Sequence, residues 1–284
     1  MKNKSPHTNN SSLLEIGLFR ITLGVYLLYY NFLLLPHVSV YFGTDGMLPK
    51  HYLPKLLMVA PDFFPWPEYW FIVLFYAMMA LLGCFTLGLL NKLTLVPLYL
   101  LQLYFYHANP LIIHEPQPLA NLFLFLFFFL PPNSPPYLWN RTGFEFTEDN
   151  IRELKGLLKI IIIFFGVYYF FVGIKKLPDP LWRQGLAIKN ILLWPGVARQ
   201  NLLTQIITQT PGISQIFSYG TMIFEMSFIF LVFTPTRFIL IIGGFLLHGG
   251  IFCTMEVGTL SQALLVWYAL LLDEPTRKRL GWKG

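Results

Sequence analysis

Lys176 is the residue of this chain most suited to act as a base. It closes an apolar stretch whose last turns carry Tyr168, Tyr169, Phe170 and Phe171. An amine stripped of water beside aromatic rings keeps a neutral fraction, which can take a proton from a phenol or quinol. Lys175, its neighbour, points about 100° away on a helix, toward lipid headgroups if Lys176 faces inward. The alternative for both lysines is to snorkel to lipid phosphates. His248 lies well inside another apolar stretch, between Leu247 and Gly249-Gly250. At that depth a histidine faces protein or a water-filled cavity, which fits either a catalytic role or a hydrogen-bonded packing role. His107 and His114 flank a proline-containing turn with Asn109 and Glu115. Their spacing makes no metal motif and no His-x-x-x-His occurs, so no metal site is expected.

Arg20 and Glu225 differ in kind, each being an ionisable residue within an apolar run. At 1.5 Å per residue, Arg20 is roughly 10 Å and Glu225 roughly 12 Å from the cytoplasmic ends of their segments. Matching depths predict a buried pair that serves fold specificity. Cys84 and Cys253 stand in apolar stretches without Cys-x-x-Cys spacing, as small core residues would.

The elements that must position these groups are set by composition. Of 284 residues, 55% are hydrophobic and only 12% charged, with mean hydropathy +0.57. Soluble domains carry about 25% charged residues, so lipid must cover the outside of this chain. A cytosolic enzyme, a disordered tail and a nucleic-acid binder are excluded together. The net charge of +6 comes with no basic run longer than Arg277-Lys278-Arg279, and it is read as fixing topology.

Eight apolar segments are candidate spans: Leu13–Leu35, Trp70–Leu90, Leu93–Tyr106, Leu119–Leu130, Gly156–Gly173, Ile213–Phe233, Phe238–Cys253 and Leu260–Leu272. No short apolar stretch ending in a small-residue cleavage site precedes them, so no signal peptide is expected. The expectation is an all-α, polytopic helix bundle forming one membrane domain over residues 1–284, with 1–12 and 274–284 as cytoplasmic tails. With Lys2 and Lys4 inside, the inner segments hold Lys92; Arg141, Arg152, Lys155 and Lys159; Arg237; and the basic tail with Lys283. That is the positive-inside pattern of a multi-pass cell-membrane protein.

The loop after the fifth span breaks the pattern, carrying Lys175, Lys176, Arg183, Lys189 and Arg199 on the outer side. From Gly185 to Ile207 apolar and polar positions mix, and the segment is read as amphipathic helices on the outer membrane surface, broken at Pro195-Gly196. A tilted ninth span is the alternative. Four polar clusters share this outer side: 41–49, 107–115, 173–182 and 248–256. Their convergence predicts a site that opens outward.

Several blocks occur in a familiar order: Leu18-Phe-Arg-Ile, Phe42-Gly-Thr-Asp-Gly-Met-Leu-Pro49, Asn109-Pro-Leu-Ile, Gly173-Ile-Lys-Lys-Leu-Pro-Asp-Pro-Leu-Trp-Arg-Gln-Gly185, Phe224-Glu-Met and Leu247-His248. Together they resemble the HTTM family, the membrane domain shared with vitamin K-dependent gamma-carboxylase. The Gly-x-Lys-Lys-Leu block with its Trp-x-x-Gly is the most specific piece. The resemblance implies a reduced, vitamin K hydroquinone-like quinone as cofactor, with Lys176 as its base and His248 or His114 orienting the reaction. It further implies Asn109, Lys175 and Trp182 as cofactor-binding residues. His114 with Glu115 corresponds approximately to an Asn-His pair of the carboxylase, and Asn109 is displaced from it.

Carboxylases that modify glutamate carry a large further domain after the membrane bundle, whereas this sequence stops at Gly284. The resemblance is therefore expected to reach quinol-linked chemistry, carboxylase-like or oxidative, rather than glutamate carboxylation itself. Small relatives resembling the sporulation-delaying protein B type help mature a secreted peptide. A non-enzymatic factor for peptide maturation or export is the second reading, with membrane lipid and a secreted peptide as partners. A transporter is disfavoured because no repeated halves or paired broken helices are seen.

Overall fold

A computed structural model describes residues 7–43, 47, 69–89, 92–109, 112, 116–130 and 147–281. His114, Glu115, Asp45 and Arg141 lie outside the described residues. Among the described residues all regular structure is helical. In a bilayer this follows from the backbone, whose polar groups find no water and must bond within their own segment.

The eight expected segments are all found in helices: α1 (His7–Leu34), continued through a 3-10 turn into α2 (Val38–Phe42); α3 (Tyr69–Leu87); α4 (Lys92–Ala108); α5 (Pro116–Leu126) with the turn Phe127–Phe129; α6 (Glu148–Lys176); α10 (Ile213–Leu231); α11 (Arg237–Thr254); and α12 (Leu260–Trp267) with the turn Tyr268–Leu271. Between α6 and α10 lie α7 (Pro180–Arg183), α8 (Ala187–Leu193) and α9 (Leu202–Gln209), and α13 (Glu274–Arg279) ends the described chain. Among the described residues four stretches are long and apolar enough to cross a membrane: Leu14–Phe42, Trp70–Leu87, Glu148–Lys176 and Arg237–Thr254. They support a membrane-spanning protein. At 7 and 8 residues, α8 and α9 are each too short to cross. They flank the Pro195-Gly196 break.

The chain divides into two compact units, Ile16–Leu157 and the combination of Met1–Glu15 with Leu158–Gly284. In the Ile16–Leu157 unit the core is aromatic and aliphatic, with Phe19, Leu23, Leu27, Phe75, Met78, Leu82, Leu98 and Phe123 fully buried. Phe19 meets Phe123 edge-on at 5.2 Å, and Phe42 meets Phe105 at 4.9 Å. Gly88 ends α3 in the left-handed region (φ 77°). The Leu89 amide then donates back to the Cys84 carbonyl at 2.8 Å and closes the helix end. A side chain on Gly88 would collide with the guanidinium of Arg20.

The other unit holds α7 to α13 and α6 from Leu158 onward. Gly166 and Gly173, seven residues apart on one face of α6, let α10 approach closely. A Cβ on Gly166 would be 3.3 Å from the Ile229 Cα, and one on Gly173 would be 2.8 Å from Met226 Cγ and 3.1 Å from Glu225 Cβ. Small residues at helix contacts are how backbones come close in membranes. Gly173→Val should overpack this contact and cost about 1–3 kcal/mol, read as earlier thermal unfolding in detergent.

Because Gly173 stands opposite Glu225 and Met226, the first three turns of α10 project past the end of α6. These turns carry Ser214, Gln215, Ser218 and Thr221, which makes α10 too polar to stand among the four apolar stretches. The segment 180–209 packs around them. Ser218 Oγ accepts from the Ile188 amide at 3.2 Å, and Tyr219 Oη donates to the Arg183 carbonyl at 2.9 Å. Ile188, Leu192, Ile207 and Met255 form a small buried cluster bordered by Trp182. Helices α7 and α9 are capped by Asp179 and Asn201, whose side-chain oxygens accept from the Leu181 and Thr204 amides. The loop 194–201 is strapped to the end of α11. The Arg199 amide donates to Thr254 O at 2.9 Å, the Glu256 amide to Val197 O at 2.7 Å, and Asn201 Nδ2 to Cys253 O at 2.7 Å.

Candidate functional site

Helix α6 presents Tyr169 and Lys176 two turns apart on one face, the spacing at which side chains line up along a helix. Opposite them α10 supplies Glu225 and Phe228, α11 supplies His248, the turn after α12 supplies Tyr268, and α7 supplies Trp182. Lys176 Nζ bonds both carboxylate oxygens of Glu225. The side chains are 17% and 7% exposed respectively, so this is a largely desolvated ion pair. Nζ also sits 4.8 Å from the centre of the Trp182 ring, within cation–π range.

Beside the pair runs a neutral hydrogen-bond chain. Tyr169 Oη lies 2.6 Å from His248 Nε2 and 2.7 Å from Tyr268 Oη. The Phe228 ring stacks on that of Tyr169 with centroids 4.3 Å apart and planes at 11°, which fixes the phenol. The Lys176 charge acts on His248, and that of Glu225 on both tyrosines. His248 Nδ1 is buried and has no partner among the described residues.

One expectation changes. The partner of Glu225 is Lys176, where depth counting had pointed to Arg20. Lys176 is the last residue of α6, where its own hydrophobic run stops, and it lies level with the middle of α10 with Nζ over the Trp182 ring. The helix ends are staggered: α10 begins about three turns beyond α6, and only their contact at Gly173 reveals the register. Lys175 is exposed, so the two adjacent lysines divide between outside and inside.

Of the residues singled out from sequence, Lys176, Trp182 and His248 come together within one unit. Lys175 flanks them on the surface. Asn109 belongs to the Ile16–Leu157 unit, where it is fully buried and Nδ2 donates to the Tyr41 carbonyl at 2.9 Å. Among the described residues no cluster of His, Cys, Asp or Glu is placed to hold a metal ion.

Sequence reasoning missed Tyr169, Tyr268 and the role of Glu225. The spacing of Tyr169 from Lys176 was the available signal for the first. Tyr268 has no motif around it, and only tertiary packing brings it to Tyr169. The chain matches no family model, and comparison with curated proteins and with solved structures found no match either.

Proposed function

We propose that this is a multi-pass protein of the cell membrane, with both termini cytoplasmic, that carries out quinol-linked proton chemistry of the kind the HTTM resemblance implies. The observation that carries the reading is the buried contact of Lys176 with Glu225, roofed by Trp182. A reduced quinone, when bound, supplies phenolic protons and electrons. The fit rests on the half-buried Trp182 ring, the buried ionisable pair and the His248 Nδ1 that has no partner among the described residues.

A touching ammonium and carboxylate interconvert with the neutral amine and acid when one proton moves between them. In the neutral arrangement Nζ is a base. After it takes a proton the pair carries one positive charge, which balances the anion left on the donor. Burial leaves the pair largely desolvated, with Trp182 over Nζ, and this strengthens each of these electrostatic effects.

Purified protein extracted with organic solvent should yield a lipophilic quinone, or should bind an added naphthoquinone as judged by quenching of its tryptophan fluorescence. If it neither carries nor binds one, the peptide-maturation scaffold becomes the better account.

The orientation has its own test. In a background lacking Cys84 and Cys253, a membrane-impermeant thiol reagent should label Glu256→Cys in intact cells and label Lys278→Cys only after lysis. The reverse pattern would invert the topology.

A further inference from the structure

Charge is spread unevenly along the chain. At the start of α6, Glu148, Asp149 and Glu153 accompany Arg152, Lys155 and Lys159, and after α12 Asp273 and Glu274 pair with Arg237 and Lys278. From Gly173 to Phe224 the sequence holds a single acid, Asp179, and its carboxylate caps α7. Of the cations in that stretch, Lys176 is matched by Glu225. Lys175, Arg183, Lys189 and Arg199 are all exposed, and none of them pairs with an acid among the described residues. Arg199 donates one N–H to the Met255 carbonyl and lies 5.4 Å from the centre of the Phe252 ring, which leaves its charge unmatched.

Unmatched cations by themselves suit any polyanion, and the helices that carry them narrow the choice. At about 100° per residue, α9 has three sectors. Thr204, Ile207 and Thr208 turn toward the protein. Leu202, Leu203 and Ile206 are apolar yet exposed, Leu202 by 71%, and Gln205 and Gln209 make a polar, exposed third sector. A helix lying in the plane of a membrane surface needs this order, since it touches bundle, acyl chains and water at once. In α8, Lys189 stands one turn before Leu193, and Trp194 follows it, these two being 59% and 65% exposed. Tryptophan, and lysine with its stem along apolar surface, belong at the headgroup level. A soluble polyanion would satisfy the cations but leave the apolar sector in water. The surface is also preformed, because the caps of α7 and α9 and the bond from Asn201 to the end of α11 hold its backbone. A partner therefore has little ordering to offset.

We propose that the segment 175–209 is a seat for anionic phospholipid. Leu202, Leu203 and Ile206 lie among acyl chains with Leu193 and Trp194, and Lys175, Arg183, Lys189 and Arg199 meet the headgroup phosphates of a lipid with net negative charge. A zwitterionic lipid brings its own cation to the same place and is disfavoured. Each basic residue near an anionic surface gives about a fivefold preference.

The test uses tryptophan fluorescence of the protein in nanodiscs of phosphatidylcholine that contain a rising share of lipid brominated on its acyl chains. The quenching lost in Trp194→Phe belongs to Trp194. With brominated phosphatidylglycerol, half of that quenching should be reached at a share roughly fivefold lower than with brominated phosphatidylcholine. The gap should shrink in about 1 M salt, where charges are screened within about 3 Å. Arg183→Gln combined with Lys189→Gln, both at exposed positions, should bring the two shares together while thermal unfolding stays unchanged. Equal shares in the wild type overturn the proposal. So does equal quenching of the wild type and Trp194→Phe, which would take Trp194 out of the acyl region. A preference for phosphatidylglycerol that survives the double variant at full size overturns it as well.

Discussion

Lys176→Arg is expected to abolish quinol oxidation in detergent, or production of the cognate mature peptide by cells, while Lys175→Arg leaves either activity intact. Arginine keeps the positive charge and can engage Glu225 through two parallel N–H donors, so the contact between α6 and α10 should survive. It cannot supply a neutral base near neutral pH. A loss of activity with unchanged thermal unfolding would therefore isolate the proton-accepting role from the structural one. Lys175 serves as the internal control, since it shares the helix end and the charge but is exposed. If Lys176→Arg retains full activity in both assays, the base role fails, and the buried pair belongs to a scaffold.

The second large effect concerns stability. Glu225→Gln leaves an ammonium facing an amide in a desolvated setting, and Lys176→Met leaves a carboxylate with no cation. Breaking a buried pair from one side costs about 3–5 kcal/mol, whereas replacing both partners by neutral groups is far less damaging. The double variant should therefore unfold at a higher temperature than either single variant, a non-additivity that a double-mutant cycle reads directly. Additive losses would mean that the two side chains are not coupled in the folded protein. The cycle also separates Glu225 as partner of Lys176 from Glu225 as a solitary buried acid, which would respond to its own replacement alone.

Much of the fold was legible in the sequence, because apolar runs of bilayer length leave the backbone few alternatives to helix. All eight segments became helices, and the break at Pro195-Gly196 fell between α8 and α9 as turn chemistry requires. What the sequence withheld was register. A hydrophobic run records where a helix lies along the chain, not how far it slides past its neighbour, and the partner of Glu225 depends on that offset. Glycines hold the missing information, since Gly166 and Gly173 mark the closest approach of α6 to α10, but seven-residue spacing of glycine alone does not name the facing helix. Lys176 was found because a cation after four aromatic residues is unusual. His248 stood out for the same reason in its own run. Tyr169 and Tyr268 were hidden because tyrosine is common in this chain, with 15 of them, and nothing local distinguishes the two that share a proton.

The strap between the loop 194–201 and the end of α11 has a consequence for kinetics. Arg199 and Glu256 donate across it in opposite directions, so neither amide can be released without loosening the other. Loosening both frees the end of the helix that carries His248 two turns earlier. The roof over Lys176 and the helix of His248 therefore breathe as one cooperative unit rather than as a flap and a wall. In hydrogen–deuterium exchange the Arg199 and Glu256 amides should decay together, and their shared opening rate would set how often the buried chain of hydroxyls trades protons with bulk water.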